Sequence, residues 1–190
     1  MGQNVPAFET DRLILSQRTM DHLEDCMQLD GDPDVMKYIR PVMEPAQRRA
    51  RLEQLIAMDM PDGQGWWMIA EKARPEHVCG WAILVPLALD VHQPEVEVGY
   101  RLHQHAWGRG IATEAARRLV RHGFETLDLP RLVGVTHPEN DASGKVLQKS
   151  GLRFAGAAEY MGQAVKRYSV TKKEWQVLPL IRSFGPPSPR

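Results

Sequence analysis

Apolar residues recur along this chain with two periods, and the change of period marks the elements. From Ile111 they fall at helical spacing, at Ala112, Ala115, Ala116, Leu119, Val120, Gly123, Phe124 and Leu127. The positions between hold Glu114, Arg117, Arg118, Arg121 and Glu125, so the segment predicts an amphipathic helix of about four turns. Residues 95–102 alternate instead. Val96, Val98, Tyr100 and Leu102 share one side and Glu95, Glu97 and Arg101 the other, which predicts a strand. Between strand and helix lie two glycines, Gly108 and Gly110.

The same reading along the chain predicts a strand at 12–17 and a helix at 19–29 with Thr19 as N-cap and Gly31 past its end. A turn follows, then a short helix from about Asp34 to Ile39. A third helix runs from Pro45 to about Met60, with Leu52, Leu55 and Ile56 facing inward. Residues 66–72 and 78–87 predict two strands of an antiparallel hairpin. Adjacent strand residues face opposite sides, so of Trp66 and Trp67 one faces the core and the other the surface. Residues 131–137 predict a buried strand, 140–151 a short helix capped by Asn140 and stopped by Gly151, and 152–161 and 165–175 a last pair of strands. The Pro-rich stretch 179–190 predicts a mobile tail. The expected fold is α/β: one domain over 1–178 with a mixed, mostly antiparallel sheet of six to seven strands, about four helices and one βαβ unit at the glycine turn.

Composition adds limits. The chain has 190 residues, enough for one well-cored domain. Lys plus Arg equals Asp plus Glu, at 24 each, so no basic excess points to nucleic acid. No apolar run approaches the roughly 20 residues that cross a membrane, and the first residues carry no signal-peptide pattern. Cys26 and Cys79 have neither disulfide-framework nor metal spacing, which predicts a reduced, cytoplasmic protein. The seven histidines show no ligand spacing, and no metal is expected.

The glycine turn carries candidate chemistry. A sharp turn before a helix presents free N–H groups backed by the positive end of the helix dipole, an arrangement suited to phosphate. A plain strand-to-helix turn looks the same in sequence. The two stretches VEVGYRLHQHAWGRGIATEAARRLV and RLVGVTHPENDASGKVLQKSGLRFAG together resemble the core of the GNAT superfamily of acyl-CoA-dependent N-acetyltransferases. The likeness extends from FETDRLILSQ near the N-terminus to YSVTKKEW at 168–175. Its nearest branch is that of the ribosomal-protein N-terminal acetyltransferases.

The resemblance implies that acetyl-CoA is the cosubstrate and that Trp107, Gly108, Arg109, Gly110, Ile111, Ala112 and Thr113 hold its pyrophosphate. Trp107 stands where the family motif keeps Gln or Arg, but backbone amides can bind without that side chain. The resemblance also implies that the strands at 95–102 and 131–137 splay apart, with the pantetheine arm beside Tyr100, Arg101 and Leu102 and near Asn140. Lys145 and Arg109 are candidate phosphate partners. Glu97 is the expected general base, directly or through water, with Glu95 as substitute. Many relatives place a thiolate-protonating tyrosine seven residues after the motif asparagine. Leu147 stands there, and Ser143 is the expected donor instead.

The expected reaction is acetyl transfer to a primary amine, either a small molecule or a protein N-terminus, by a monomer or homodimer without nucleic acid or membrane. Two alternatives remain: an acyl-CoA-binding module without turnover, which Leu147 favours, and a nucleotide-binding α/β domain of another kind, which the lack of G-x-G-x-x-G and G-K-[ST] disfavours. Asp30, Asp32 and Asp34 form either a solvated turn or an attractor for a cationic amine.

Overall fold

A computed structural model describes residues 5–87 and 95–177. Eight strands form a single sheet in the order β1-β2-β3-β4-β5-β6-β8-β7. They are β1 (Phe8–Glu9), β2 (Leu13–Gln17), β3 (Gly65–Glu71), β4 (Arg74–Leu87), β5 (Glu95–Leu102), β6 (Arg131–Thr136), β7 (Arg153–Tyr160) and β8 (Gln163–Thr171). Every neighbouring pair is antiparallel except β5 and β6. The crossover that makes this pair parallel carries α4 (Ile111–Glu125). The expected α/β architecture and its βαβ unit are present.

The sheet has helices on both faces. Below α4, the inward residues of β2 to β6 form the larger core, with Leu119, Phe124, Trp67, Leu84, Val98 and Leu132 all buried. On the opposite face α1 (Leu23–Leu29) and α3 (Pro45–Ala57) cover Met68, Trp81, Ile83 and Val85, with the short α2 (Pro33–Met36) between them. Covering both faces explains the uninterrupted apolar run in β4. It also places both tryptophans. Trp67 is fully buried and donates its indole N–H to the Pro6 carbonyl (2.7 Å), while Trp66 is half-buried on the α3 side.

Three details differ from the sequence expectation. Phe8 and Glu9 add an eighth, two-residue edge strand too short to show alternation. The first helix opens as a 3-10 turn, Met20–His22, in which the Thr19 N–H donates to His22 Nδ1 (3.1 Å). Most clearly, 172–175 does not continue the last strand. Lys172–Gln176 is a helix, α6, opened by a capping box: Glu174 N–H donates to Thr171 Oγ1 (3.2 Å), and the Thr171 N–H donates to Glu174 Oε2 (2.8 Å). The pattern T-x-x-E was visible in the sequence, and capping outweighed the strand propensity before it. Trp175 then packs on Phe124 with ring centroids 5.3 Å apart. The stretch 179–190 lies outside the described residues.

His122 is a polar residue placed in the larger core by the helical period. Its ring packs on Phe8 (4.8 Å between centroids), and Nε2 donates to the Gly63 carbonyl (2.8 Å). Nδ1 has no partner among the described residues, and burial lowers the ring's pKa. Protonation is thus easier in the unfolded chain, so this contribution to stability is present above the unfolded value of about 6.5 and is lost as pH falls. His122→Gln, which keeps a donor for Gly63, is expected to flatten the fall in Tm between pH 7 and pH 5. An unchanged slope would show that other groups set it.

Candidate active site

The site begins where the sheet comes apart. β5 and β6 pair only at Val96 with Leu132 and Glu97 with Val133. Beyond that point β5 stays joined to β4 as far as Leu102, and β6 stays joined to β8 as far as Thr136. The two strands therefore diverge while each remains anchored on its other edge. Between them the Val98 carbonyl points at Gly134, where a Cβ would come within 3.2 Å of it. By alternation the Tyr100 backbone faces the gap in the same way. Arg101 turns its carbonyl the other way, against Gly80 of β4. The Leu102 carbonyl accepts the Trp107 indole N–H (2.8 Å), so it is already occupied, and the Trp107 ring is left half-exposed.

Past the end of β5, Gly108 (φ 71°) and Gly110 (φ 79°) are both left-handed, and Gly110 is the residue from which α4 starts. A Cβ on Gly108 would touch nothing, and one on Gly110 only Arg12 Nη2 at 3.4 Å. These glycines are needed for their backbone angle, not for close packing. Residues 107–110 are exposed, Ile111 and Ala112 are buried in the core, and Thr113 is half-buried. The turn is braced from the start of β2. Arg12 grips Glu114 (Nε–Oε2 2.8 Å, Nη2–Oε2 2.7 Å) and donates to the Arg109 carbonyl (3.1 Å), and Thr10 also donates to Glu114 (2.6 Å). The Arg109 side chain reaches back to Glu71 in β3 (2.8 Å).

A cavity of about 590 Å³ runs from the gap across the α3 side of the sheet. A shallower hollow of about 610 Å³, lined by Pro33, Lys37 and Val42, shares Tyr38, Arg40 and His137 with it and forms its outer mouth. Glu97 lies on the cavity wall where β5 and β6 part. Its Oε1 comes within 3.5 Å of the Cβ position of Gly99, two residues on along the same face. No hydrogen bond or ion pair reaches its carboxyl among the described residues, and burial pushes its pKa up to about 7. Glu95 differs. It is bound by Arg167 and lies 3.5 Å from Arg131, so β6 and β8 hold it away from the cavity.

On the other side of the gap stands α5 (Asp141–Lys149), capped by Asn140, whose Oδ1 accepts the Ser143 N–H (3.0 Å). The Tyr100 hydroxyl donates to Ser143 Oγ (3.2 Å) across the gap. From sequence Tyr100 enters only through the resemblance, as a residue beside the pantetheine arm. Its ring does pack on the larger core, while its hydroxyl reaches the cavity. Only the phenol at the tip of an apolar row signalled this. Burial raises its pKa, and the bond to Ser143 opposes the rise. Leu147 is buried against Gly134 and lines the cavity floor. Lys145 is exposed on α5.

The three aspartates are structural. Asp30 binds Arg101. Asp32 caps α2 through the Asp34 N–H (2.9 Å) and accepts from Gln104 Nε2 (2.8 Å), tying this loop to the end of β5, and Asp34 accepts from the same Gln104 nitrogen at 3.3 Å. The His103 and His105 rings stack on one another, 5.5 Å apart. Among the described residues no group of three or more His, Cys, Asp or Glu is placed to hold a metal ion, and no helix is long and apolar enough to cross a membrane.

Comparison with known proteins assigns this arrangement. Residues 12–153 match the family described as Acetyltransferase (GNAT) domain. The chain belongs to the GNAT acetyltransferases. An Aspergillus fumigatus relative named FsC-acetyl coenzyme A-N(2)-transacetylase is 31% identical over 186 residues, covering 90% of this chain and 78% of its own. The fold matches a GNAT-family acetyltransferase crystal structure from Bacillus anthracis with a TM-score of 0.73 at 19% identity, covering 88% of this chain and 99% of that one. It also matches RimL, the ribosomal L7/L12 alpha-N-protein acetyltransferase in complex with coenzyme A (TM-score 0.70, 16% identity, 87% and 98% covered), which belongs to the branch the sequence resembles. The protein is thus an acyltransferase of a family that uses acetyl-CoA as cosubstrate.

The left-handed glycines allow a test of the turn itself. A β-branched residue at φ near 79° costs about 1–3 kcal/mol. Gly110→Val is therefore expected to lower Tm measurably. Gly110→Asn, which tolerates this region, should lower it less. Equal melts for the two variants would contradict the backbone account.

Proposed function

We propose that the protein moves an acetyl group from acetyl-CoA to a primary amine by direct attack, with Glu97 as general base and the Tyr100–Ser143 pair serving the departing thiolate. One observation carries the reading: an unpartnered carboxyl with a pKa near 7 stands where β5 and β6 part. A carboxylate tied into ion pairs would stay too acidic to take a proton from an amine near neutral pH. The name of the Aspergillus relative, which gives acetyl coenzyme A as donor and a nitrogen as acceptor, supports the same reading.

The residues divide the work. The backbone amides from Gly108 to Thr113, where α4 opens and its first N–H groups have no partner within the helix, suit the pyrophosphate, while Ile111 and Ala112 fix that turn to the core. Lys145 adds a point charge from α5, and Arg109 can do so only by leaving Glu71. The open backbone edge at Val98 and Tyr100 suits an amide-bearing arm, and Asn140 holds the facing end of α5 in shape. The bound amine gives a proton to Glu97, directly or through water. Its nitrogen forms the new N–C bond, the C–S bond breaks, and the electron pair stays on sulfur. Ser143 accepts a hydrogen bond from Tyr100, so its own hydroxyl hydrogen is left to donate to that sulfur. Glu97 then returns its proton to solvent.

Leu147 no longer argues for a module without turnover, since the hydrogen-bonded Tyr100–Ser143 pair supplies the hydroxyl that position 147 lacks. Every group named lies on one chain, so a monomer or a homodimer serves equally. The two buried, free cysteines suit a reducing compartment such as the cytoplasm.

On adding coenzyme A, backbone amide NMR shifts are expected to be largest at Gly108 to Thr113. If those amides stayed still while others moved, the pyrophosphate would lie elsewhere. Glu97→Gln is expected to lower kcat/KM by roughly 10²–10⁴ and to remove an inflection near pH 7. The variant also tests the burial. Glu97 is harder to ionise when folded, so the parent loses stability as pH rises through about 7, relative to an unfolded value near 4.3. Glu97→Gln escapes that loss and should gain Tm relative to the parent at pH 8 but not at pH 4. A variant with parental turnover and the same inflection would remove Glu97 from the mechanism. Tyr100→Phe and Ser143→Ala should each slow single-turnover transfer, and the double variant should lose less than the two losses combined. Full additivity would separate the two hydroxyls.

A further inference from the structure

The cavity wall on the α3 side carries a surplus of arginine that the fold does not use. Arg18, Arg40, Arg51 and Arg101 line it, against Asp30 and Glu97. Arg101 is bound to Asp30 and lies over the Trp81 ring at 4.7 Å. Arg18 is only 6% exposed, lies over the Trp66 ring at 4.4 Å and donates to the Leu55 carbonyl (3.0 Å), yet no acid pairs with it. The buried Nε atoms of both Arg18 and Arg101 have no hydrogen-bond partner among the described residues. Arg40, after α2, donates its backbone N–H to the Met36 carbonyl (3.2 Å), but its guanidinium group and that of Arg51, on α3, have neither an ion pair nor a hydrogen bond among the described residues. They stand close enough that Arg51 and Arg101 both make Arg40 harder to protonate, after burial itself. Elsewhere on this chain several arginines meet acids: Arg12 with Glu114, Arg49 with Glu24, Arg109 with Glu71 and Arg167 with Glu95. Here four guanidinium groups share Asp30, which is bound to Arg101 and also favours the charged forms of Arg18 and Arg40, and an anion placed among them would relieve the excess of positive charge.

This wall is remote from the Gly108–Gly110 turn, which has its own brace at Arg12 and opens past the end of β5. It faces Glu97 instead. Glu97, Gly99 and Arg101 share one face of β5, and the Cα atoms of Glu97 and Arg101 lie about 13 Å apart along the strand. Between them Gly99 leaves room for the Ile83 side chain, which lies 3.1 Å from where a Cβ would stand.

Resting on the acetyltransferase reading above, we infer that the acceptor is a primary amine carrying a carboxylate several bonds from its nitrogen. The amine sits at Glu97, and the carboxylate lies against Arg40 and Arg51 with Arg18 and Arg101 behind them. Planar guanidinium forks match a carboxylate in two-point hydrogen bonding. The same wall repels a polyamine, whose second cation would have to lie among four guanidinium groups.

Binding without turnover tests the wall directly. Calorimetry with and without coenzyme A would compare the product analogues 6-acetamidohexanoate and 6-acetamidohexanamide. The acid is expected to bind more tightly by about tenfold or more, the scale of one charge-assisted contact. The preference should fall to near unity in the R40Q/R51Q double variant and persist in R40K/R51K, with thermal melts establishing that both are folded. Equal binding of the two analogues by the parent, or a preference surviving in folded R40Q/R51Q, overturns the inference. In rate assays 6-aminohexanoate should outrun both 6-aminohexanamide and spermidine, and a faster amide or spermidine overturns it as well. If the acid analogue shows its preference while no amine is acetylated, the acetyltransferase reading fails and the anion site stands.

Discussion

Two residue pairs, Val96 with Leu132 and Glu97 with Val133, join the halves of this sheet in parallel, and the pairing stops there. β5 has eight registered positions with β4, and β6 has six with β8. The right-handed twist accumulates separately in each half, so the halves turn away from one another beyond Glu97. Past that pair β5 and β6 have no registered positions, so their facing edges lack a ladder partner, and unpaired backbone needs a partner when buried. A ligand with amide groups meets that need, and the gap brings Glu97 from one strand opposite Ser143 from the helix that follows the other.

On the proposed reading, the fold holds Glu97 ready as a base. Its carboxyl could have been neutralised by the arginines nearby, as Glu95 is by Arg167 and Asp30 by Arg101. It sits instead above Gly99, where the apolar Ile83 side chain packs. Burial rather than a charge partner raises its pKa to about 7. The cost falls on stability above neutral pH and is carried by the large core beneath α4.

Much of this was legible in the sequence. The alternation at 95–102, the helical stripe from Ile111 and the glycines between them located the crossover and its turn. Glu97 was picked out by its place on the strand that the family resemblance sets beside the acetyl group, with alternation turning it away from Val96 and Val98. What escaped had physical reasons. Tyr100 was hidden because a phenol packs as an apolar ring along most of its length, and only its last atom is polar. Glu95 could not be separated from Glu97, since both share a face and the arginine that occupies Glu95 lies 72 residues away. The helix at Lys172–Gln176 was hidden behind a strand pattern, although its capping box was present. The arginine wall escaped because its four members come from the end of β2, the loop after α2, α3 and β5, with no common spacing in sequence.

The charges of this chain therefore separate by what answers them. Around the glycine turn each one is matched, Arg12 by Glu114 and Arg109 by Glu71. Around the loop of Asp30, Asp32 and Asp34, acids are consumed by Arg101, Gln104 and the cap of α2, which makes them fasteners and not bait for a cation. Along the cavity wall, among the described residues, the carboxyl of Glu97 and the guanidinium groups of Arg40 and Arg51 have no ion-pair partner. A single molecule with an amine at one end and an acid at the other satisfies both, and neither an uncharged amine nor a second cation does. The distribution of unmet charge, more than the shape of the cavity, is what distinguishes one acceptor from another in this fold.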